Sequence, residues 1–474
     1  MSLSLIEMDP RSRIFCNRSL NMRNIQAVGF DMDYTLALYR PEEFEVLAYN
    51  ETLKKLNNAG YPDTILNWHF DTTHMIRGLA IDKNRGNIIK LDRHRYVKVA
   101  YHGFRELSRE ERREQYDASL AQSYEEPDYA LIDTLFTLAD AYLFAQLIDL
   151  KARKPDAIKK NPLEIYRDVR NAIDLCHRDG SIKHKVAQNP EKYITRDPQL
   201  EDTLIKLRQS GRKLFAVTNS LWDYTNVVMN HIFGNDSREL NLNWTEHFDL
   251  VVTGAAKPSF FTSPNPLYEV DPGTGLLKNT DGILNPDAKI FQGGNFKQLH
   301  ERLGVSSGPE ILYVGDHIYG DILRSKKELG WRTMLVINEL NDEIESLASY
   351  KEEFRQYEEL IQIKDELDDE IQKLQVSHDD PTTDTSLNDR IANLIEKRNS
   401  TREAMRRSMK KYHQNFHPIW GQLMKTGHQN SRFAAQVENY ACLYTSQLTN
   451  LCNYSPNHSF RSTRDFMPHD FFRG

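Results

Sequence analysis

The chain has 474 residues, 39% of them hydrophobic and 27% charged, with a formal net charge of −7. That length calls for two or three domains, and the residue balance supplies a buried core, which excludes global disorder. The acidic balance excludes a general nucleic-acid binder, which needs a broad basic surface, and no run of eighteen apolar residues predicts a transmembrane helix. The start, MSLSLIEMDPRSRIFC, lacks the charged-then-apolar pattern of a secretory signal. Cys16, Cys176, Cys442 and Cys452 form no CxxC pair and read as reduced thiols, so a cytoplasmic location is expected.

Five short apolar runs, at 25–30, 214–217, 248–252, 311–314 and 333–337, predict buried strands of a parallel sheet. The first four end in polar clusters: DMDYT, TNS, TGAAKP and GDHIYGD. About 180 residues separate the first run from the second, far more than a simple crossover needs, so an inserted domain is expected. It mixes extended segments near 76–104 with helical ones near 128–150 and 163–178. Leu200, Leu204, Ile205 and Leu207 predict a helix stopped by Gly211, and Phe296, Leu299 and Leu303 one stopped by Gly304. This strand–helix alternation predicts an α/β fold with active residues at the carboxyl ends of the strands. Beyond 340, residues 343–375 read as an amphipathic helix, 377–386 as a polar loop, and the stretch through Ile391, Leu394 and Ile395 as a second helix completing a hairpin. Helices are expected to continue through 433–451.

The chemistry collects at the strand ends. Asp31 and Asp33 stand two apart, so their side chains leave the same way. Crowded carboxylates repel unless a cation lies between them or one holds a proton, and both conditions suit phosphate chemistry. One aspartate attacks phosphorus; the other protonates the leaving oxygen and later deprotonates water. Thr218, Asn219 and Ser220 offer hydroxyl, amide and backbone N–H groups to phosphate oxygens, and Lys257 can offset the charge on the phosphoryl group. Gly315 permits a close turn, with Asp316 and Asp321 as oxygen ligands for a hard cation. Each cluster alone is also an ordinary turn, surface lysine or helix cap; their order, each behind its own strand, points to a magnesium-dependent phosphatase. Arg170, Asp174 and His177 share one face of a predicted helix, with Lys183 just beyond. Donors and acceptors there suit a 6-oxopurine edge, although the same spacing fits a helix salt bridge beside a surface histidine. Phe104, behind the turn at His102-Gly103, is the candidate stacking partner across the base.

The ordered set DxDxT, Thr, Lys-Pro and GDxxxxD resembles the haloacid dehalogenase superfamily. The longer stretches DMDYTLALY, RGLAIDKNRGNIIKLDR, YHGF, DVRNAID, AVTNS, AAKPSFF, GDHIYGDILRSKK and FAAQVENYACLY resemble the cytosolic purine 5′-nucleotidases, which prefer inosine and guanosine monophosphates. The resemblance implies a Rossmann-like parallel-sheet core (1–49 and 196–340), a large inserted α+β cap (50–195) and a helical C-terminal extension (341–474). It implies Asp31 as nucleophile and Asp33 as general acid and base, with Mg²⁺ held by Asp31, the Asp33 carbonyl and Asp316, supported by Asp321. Thr218, Asn219, Ser220 and Lys257 would bind the phosphate. Phe104, Arg170, Asp174, His177 and Lys183 would bind the nucleoside, with Arg105 where the family carries an amide residue. Phosphotransferase activity, a tetramer, and an ATP or GTP effector site at Arg93, Tyr319, Lys327, Gln436 and Tyr440 are implied as well. Two other readings compete: a phosphatase for sugar phosphates or phosphoserine, and a nucleotide-sensing scaffold with little turnover. Dehalogenation is remote, since it needs neither the second aspartate nor the metal.

Overall fold

The computed structural model describes residues 8–117, 124, 127–235, 240–278, 285–376, 385–465, 467 and 470. Among these, the main sheet runs in the order Phe15–Cys16, Leu443–Thr445, Arg332–Val336, Ile311–Gly315, Ala27–Phe30, Lys213–Val217, Leu250–Thr253, Ile290–Gly293, Leu267–Val270 and Leu277–Lys278. Six parallel pairings join the seven strands from Leu443–Thr445 to Ile290–Gly293, and antiparallel strands close both edges. Every residue of Ala27–Phe30 and of Ile311–Gly315 is buried. Strands covered on both faces read as unbroken apolar runs rather than alternating ones, which is why the five predicted strands are present within two residues. The helices Leu200–Gln209 and Phe296–Leu303 lie where expected, and Gly304 (φ 63°) ends the second in the left-handed conformation.

The long crossover from Ala27–Phe30 to Lys213–Val217 carries an antiparallel five-stranded sheet, in the order Arg105–Glu106, Val97–His102, Asn87–Leu91, Leu79–Asp82 and Tyr129–Ile132. The helices Pro41–Asn58, Leu138–Arg153 and Pro162–Arg178 pack on one another beside it. The helix expected near 128–150 thus begins ten residues later, because Tyr129–Ile132, bounded by the β-favouring Tyr129 and Ile132, pairs as a strand with Leu79–Asp82.

The C-terminal region departs from its helical reading twice. The charge-rich stretch is two helices, Leu340–Ser349 and Lys351–Val376, and the second packs against Thr385–Gln414 as a hairpin. Residues 377–384 of the expected loop lie outside the described residues. The helix Arg432–Tyr440 then stops, and Leu443–Thr445 enters the main sheet beside Arg332–Val336. The apolar run ACLYT fits a buried strand better than a continued surface helix. Among the described residues, no helix is long and apolar enough to cross a membrane.

Candidate active site

The four polar clusters meet at the carboxyl ends of neighbouring parallel strands. Asp31 follows Ala27–Phe30, and its backbone N–H donates to the Val314 carbonyl (2.8 Å), so the first and fourth clusters are tied side by side. The Lys257 ammonium is the hub. Its Nζ lies 2.8 Å from Asp31 Oδ1 and 2.7 Å from Asp321 Oδ1, and donates to Tyr313 Oη (3.1 Å). Burial works against its charge, but Asp31 and Asp321 outweigh that and hold the ammonium well above its ordinary pKa. Burial pushes the Asp31 carboxyl up to about 6; Lys257 opposes this and Asp321 adds to it. Gly315 has a definite purpose: a Cβ there would stand 2.5 Å from Asp321 Oδ2, so only glycine lets that carboxylate approach the strand end.

Asp33 faces the cavity with both oxygens accepting hydrogen bonds. Tyr39 Oη donates to Oδ1 (2.6 Å) and Ser220 Oγ to Oδ2 (3.1 Å), while Tyr224 Oη lies 2.9 Å behind Tyr39. Burial first, and Asp31 second, raise its pKa. A carboxyl raised by burial and aimed by fixed donors suits proton transfer. The Asn219 amide is engaged elsewhere: it accepts from Lys257 N (2.6 Å) and donates to Lys257 O (3.1 Å), fixing the loop that carries the lysine. Thr218 Oγ1 accepts from Ser220 N (3.0 Å) and shapes that turn from behind the cavity wall.

Asp31, Asp316 and Asp321 each present a carboxylate oxygen within 4.8 Å of the others. The Asp33 side chain is outside this group. Asp316 Oδ2 is buried without a hydrogen-bond partner, and burial, then Asp321 and Asp31, drive its pKa well up. One ammonium among three buried carboxylates leaves negative charge unanswered, and an all-oxygen donor set fits a hard dication such as Mg²⁺. Arg77 reaches in from the inserted region, donating from Nη1 to the Asp316 carbonyl (3.2 Å) and from Nε to Glu339 (2.8 Å).

A cavity of 980 Å³ opens over these groups. Arg170, His177 and Lys183 line it together with Asp31, Asp33 and Lys257. Asp174 stands behind: Arg170 is held between Asp174 Oδ1 (2.7 Å) and Asp140 Oδ2 (3.1 Å). Lys183 Nζ lies 3.5 Å from Ser220 Oγ, whose hydroxyl also donates to Asp33. Burial, with Lys183 and Arg170 nearby, brings His177 down to about 4, so its ring is neutral near pH 7.

Phe104 and Arg105 are not brought to this cavity. Phe104 packs against His74 and Tyr142 (centroids 5.1 and 5.5 Å) beside a separate 340 Å³ depression, and Arg105 pairs at the surface with Glu111 (3.0 Å). Among the rings that do line the cavity, Phe136 stands edge-on to His177 at 6.3 Å. Sequence reasoning missed it, as it missed Asp140 and Tyr39. Phe136 sits in an apolar stretch where a phenylalanine signals only core, while Phe104 follows a visible turn. The turn is real (Gly103 φ 58°), but its backbone presses on Asp149 rather than on the cavity.

The five residues implied as an effector site lie close together. Gln436 Nε2 donates to Tyr319 Oη (2.6 Å), Lys327 Nζ stands 5.2 Å over the Tyr440 ring, and Arg93 lies 3.9 Å from Glu438 on the same helix as Gln436. Tyr319, Lys327 and Tyr440 line the same cavity as Asp31, so this region is a second arm of one chamber.

Comparison with known proteins agrees with this layout. The 5′ nucleotidase family model matches residues 14–472. A 5′-nucleotidase domain-containing protein of Dictyostelium discoideum is 29% identical over 470 residues, covering 98% of this chain and 76% of that protein. Among solved structures, a predicted phosphoglycolate phosphatase from Haemophilus somnus (13% identity, 66% of this chain and 85% of that one, TM-score 0.29) and CbbY from Rhodobacter sphaeroides with phosphate (17% identity, 66% and 86%, TM-score 0.26) are similar, at scores too low to carry weight. With the DMDYT loop, the lysine and the acidic pair set on strands of a Rossmann-like α/β sheet, the chain belongs to the 5′-nucleotidase family and is a hydrolase of nucleotide phosphate monoesters.

Proposed function

We propose that this chain hydrolyses purine nucleoside 5′-monophosphates, IMP and GMP, through an aspartyl phosphate on Asp31. The observation that carries the reading is the 980 Å³ cavity that Asp31, Asp33 and Lys257 line together with Arg170, His177 and Phe136. Asp31 attacks phosphorus while Asp33 gives a proton to the departing nucleoside O5′. Asp33 then takes a proton from the water that cleaves the acyl phosphate. Lys257 and Ser220 hold and align the phosphoryl oxygens. Mg²⁺ held by Asp31 and Asp316, with Asp321 in support, would neutralise charge on the transferring group. A nucleoside in place of water as acceptor makes the same enzyme a phosphotransferase. The base stacks on Phe136 beside neutral His177, with Arg170 toward its edge and Asp174 behind Arg170.

In this reading residues 1–49 and 196–340 form the catalytic core, 50–195 the cap and 341–474 the extension. The Lys327–Tyr440 arm receives ATP or GTP, Tyr319 offering a ring and Lys327 a charge, next to the loop between Asp316 and Asp321. The cytoplasmic, tetrameric state rests on the family resemblance.

Phosphate release from IMP, GMP, AMP, UMP and sugar phosphates tests this, with and without Mg²⁺ and with added ATP or GTP. IMP and GMP should exceed AMP and UMP by about tenfold or more, because a polar site rejects a base that leaves its groups unpaired. Equal turnover of sugar phosphates would overturn the nucleotide reading. Base stacking contributes roughly 1–3 kcal/mol, so Phe136→Ala should raise the KM for GMP about tenfold while Phe104→Ala leaves it near the wild-type value. The reverse pattern would restore Phe104 as the stacking residue.

A further inference from the structure

A second cleft, of 770 Å³, opens between the inserted antiparallel sheet and the helical hairpin, and shares no lining residue with the cavity over Asp31. The helix Thr385–Gln414 lays Arg402, Arg406 and Lys410 along it. Four-residue spacing puts these three on one helix face, about 6 Å apart along the axis. Lys364 faces them from the other hairpin helix, and Lys98 and Arg112 from the sheet side, with Lys425 at the end. Glu106 is the one carboxylate in the lining.

Nearby acids answer part of this charge. Asp365 and Asp368 lie 2.6 and 3.0 Å from Lys364, Asp368 also lies 3.8 Å from Arg402, Asp92 lies 3.3 Å from Lys98, and Glu106 lies 3.9 Å from Arg112. Arg406 and Lys410 have no ion pair among the described residues. A chain of net charge −7 has thus gathered a basic array in a concave place, in which Arg406 and Lys410 are left for a partner from outside. Like charges brought together on one helix face destabilise it, and an anion bound between these exposed cations would relieve that repulsion.

We propose that this cleft binds an anion of two or more linked phosphates, free or as the tail of a small molecule. Guanidinium forks match phosphate oxygens in pairs. The cations are spread over two helical turns and an opposite wall, so a single orthophosphate reaches only part of them while a linked chain engages several at once. Fixed walls on both sides favour a compact ligand over a long flexible polyanion.

Calorimetric titration of the full-length protein with tripolyphosphate, in EDTA and moderate salt, tests this beside orthophosphate, ATP and a polyglutamate of similar charge. The expected result is tripolyphosphate binding that weakens about tenfold or more, equivalent to 1.4 kcal/mol or more, in Arg406→Glu/Lys410→Glu. Orthophosphate should bind far more weakly. ATP binding that is lost in the same variant assigns the ligand as the phosphate tail of a nucleotide; ATP binding that is unaffected leaves the free condensed phosphate. GMP turnover in the absence of tripolyphosphate should match the wild type, since neither residue touches the cavity over Asp31. Arg406→Gln/Lys410→Gln, which only neutralises the charges, should show the same trend and guards against misfolding. Unchanged tripolyphosphate binding in both variants, or polyglutamate binding as tightly as tripolyphosphate, would overturn the proposal.

Discussion

Asp31→Asn should abolish phosphate release, with a loss of roughly 10⁴- to 10⁶-fold in kcat, the scale seen when an enzyme loses its nucleophile. The amide keeps the shape of the carboxylate but cannot attack phosphorus. Folding should survive, because Lys257 keeps its contact with Asp321 at 2.7 Å and the buried group loses one of its crowded negative charges. Release assays should therefore be run beside a thermal melt. Brief acid quenching of wild type turning over GMP should trap an acid-stable, hydroxylamine-sensitive phosphoprotein that the variant lacks. Equal turnover by the two proteins would remove Asp31 from the chemistry, and no turnover by either would favour the scaffold reading.

Lys257→Met carries the largest expected effect on stability. The lysine is 9% exposed and its ammonium serves two buried carboxylates at once. Removing one member of a buried ion pair costs about 3–5 kcal/mol, because the partner charge stays behind without an answer. Here Asp31, Asp316 and Asp321 would remain together, so the melting temperature should fall by several degrees. Added Mg²⁺ should restore part of that loss and should stabilise the variant more than the wild type, since a ligand that binds only the folded state stabilises it by mass action. Turnover should fall as well, by about 10²–10³-fold, the range for losing one preorganised group that stabilises developing charge. An unchanged melting temperature would mean that Lys257 is not the counter-charge of this site.

How much was legible follows from what each residue has to do locally. Asp31, Lys257, Asp316 and Asp321 follow buried parallel strands, and such strands announce themselves as apolar runs broken abruptly by polar residues. Gly315 carried a signal too, since a glycine before an acidic pair marks a close approach. Phe136 and Asp140 carried none: they flank the start of an apolar helix, and their exposure to a cavity depends on how that helix packs against Pro162–Arg178. Tyr39 was hidden for the same reason, in a two-residue strand that pairs only with Ile194–Thr195 across the insertion. The strand Leu443–Thr445 was masked by the helix before it, and its partner Arg332–Val336 lies more than a hundred residues earlier.

That late strand has a consequence for how the molecule can vary. Leu443–Thr445 lies beside Arg332–Val336 and parallel to it, so the whole helical hairpin hangs from a single crossover, just as the antiparallel sheet hangs from the crossover between Ala27–Phe30 and Lys213–Val217. Closing a longer excursion adds little entropy cost, because that cost grows only with the logarithm of its length. Exposed loops of both excursions can therefore be lengthened while the seven parallel strands keep their register, whereas Arg77, Arg170, His177 and Lys183 tie the body of the insertion to the cavity over Asp31. New surfaces grafted at those loops leave the strand ends that carry Asp31, Lys257 and Asp316 where they are.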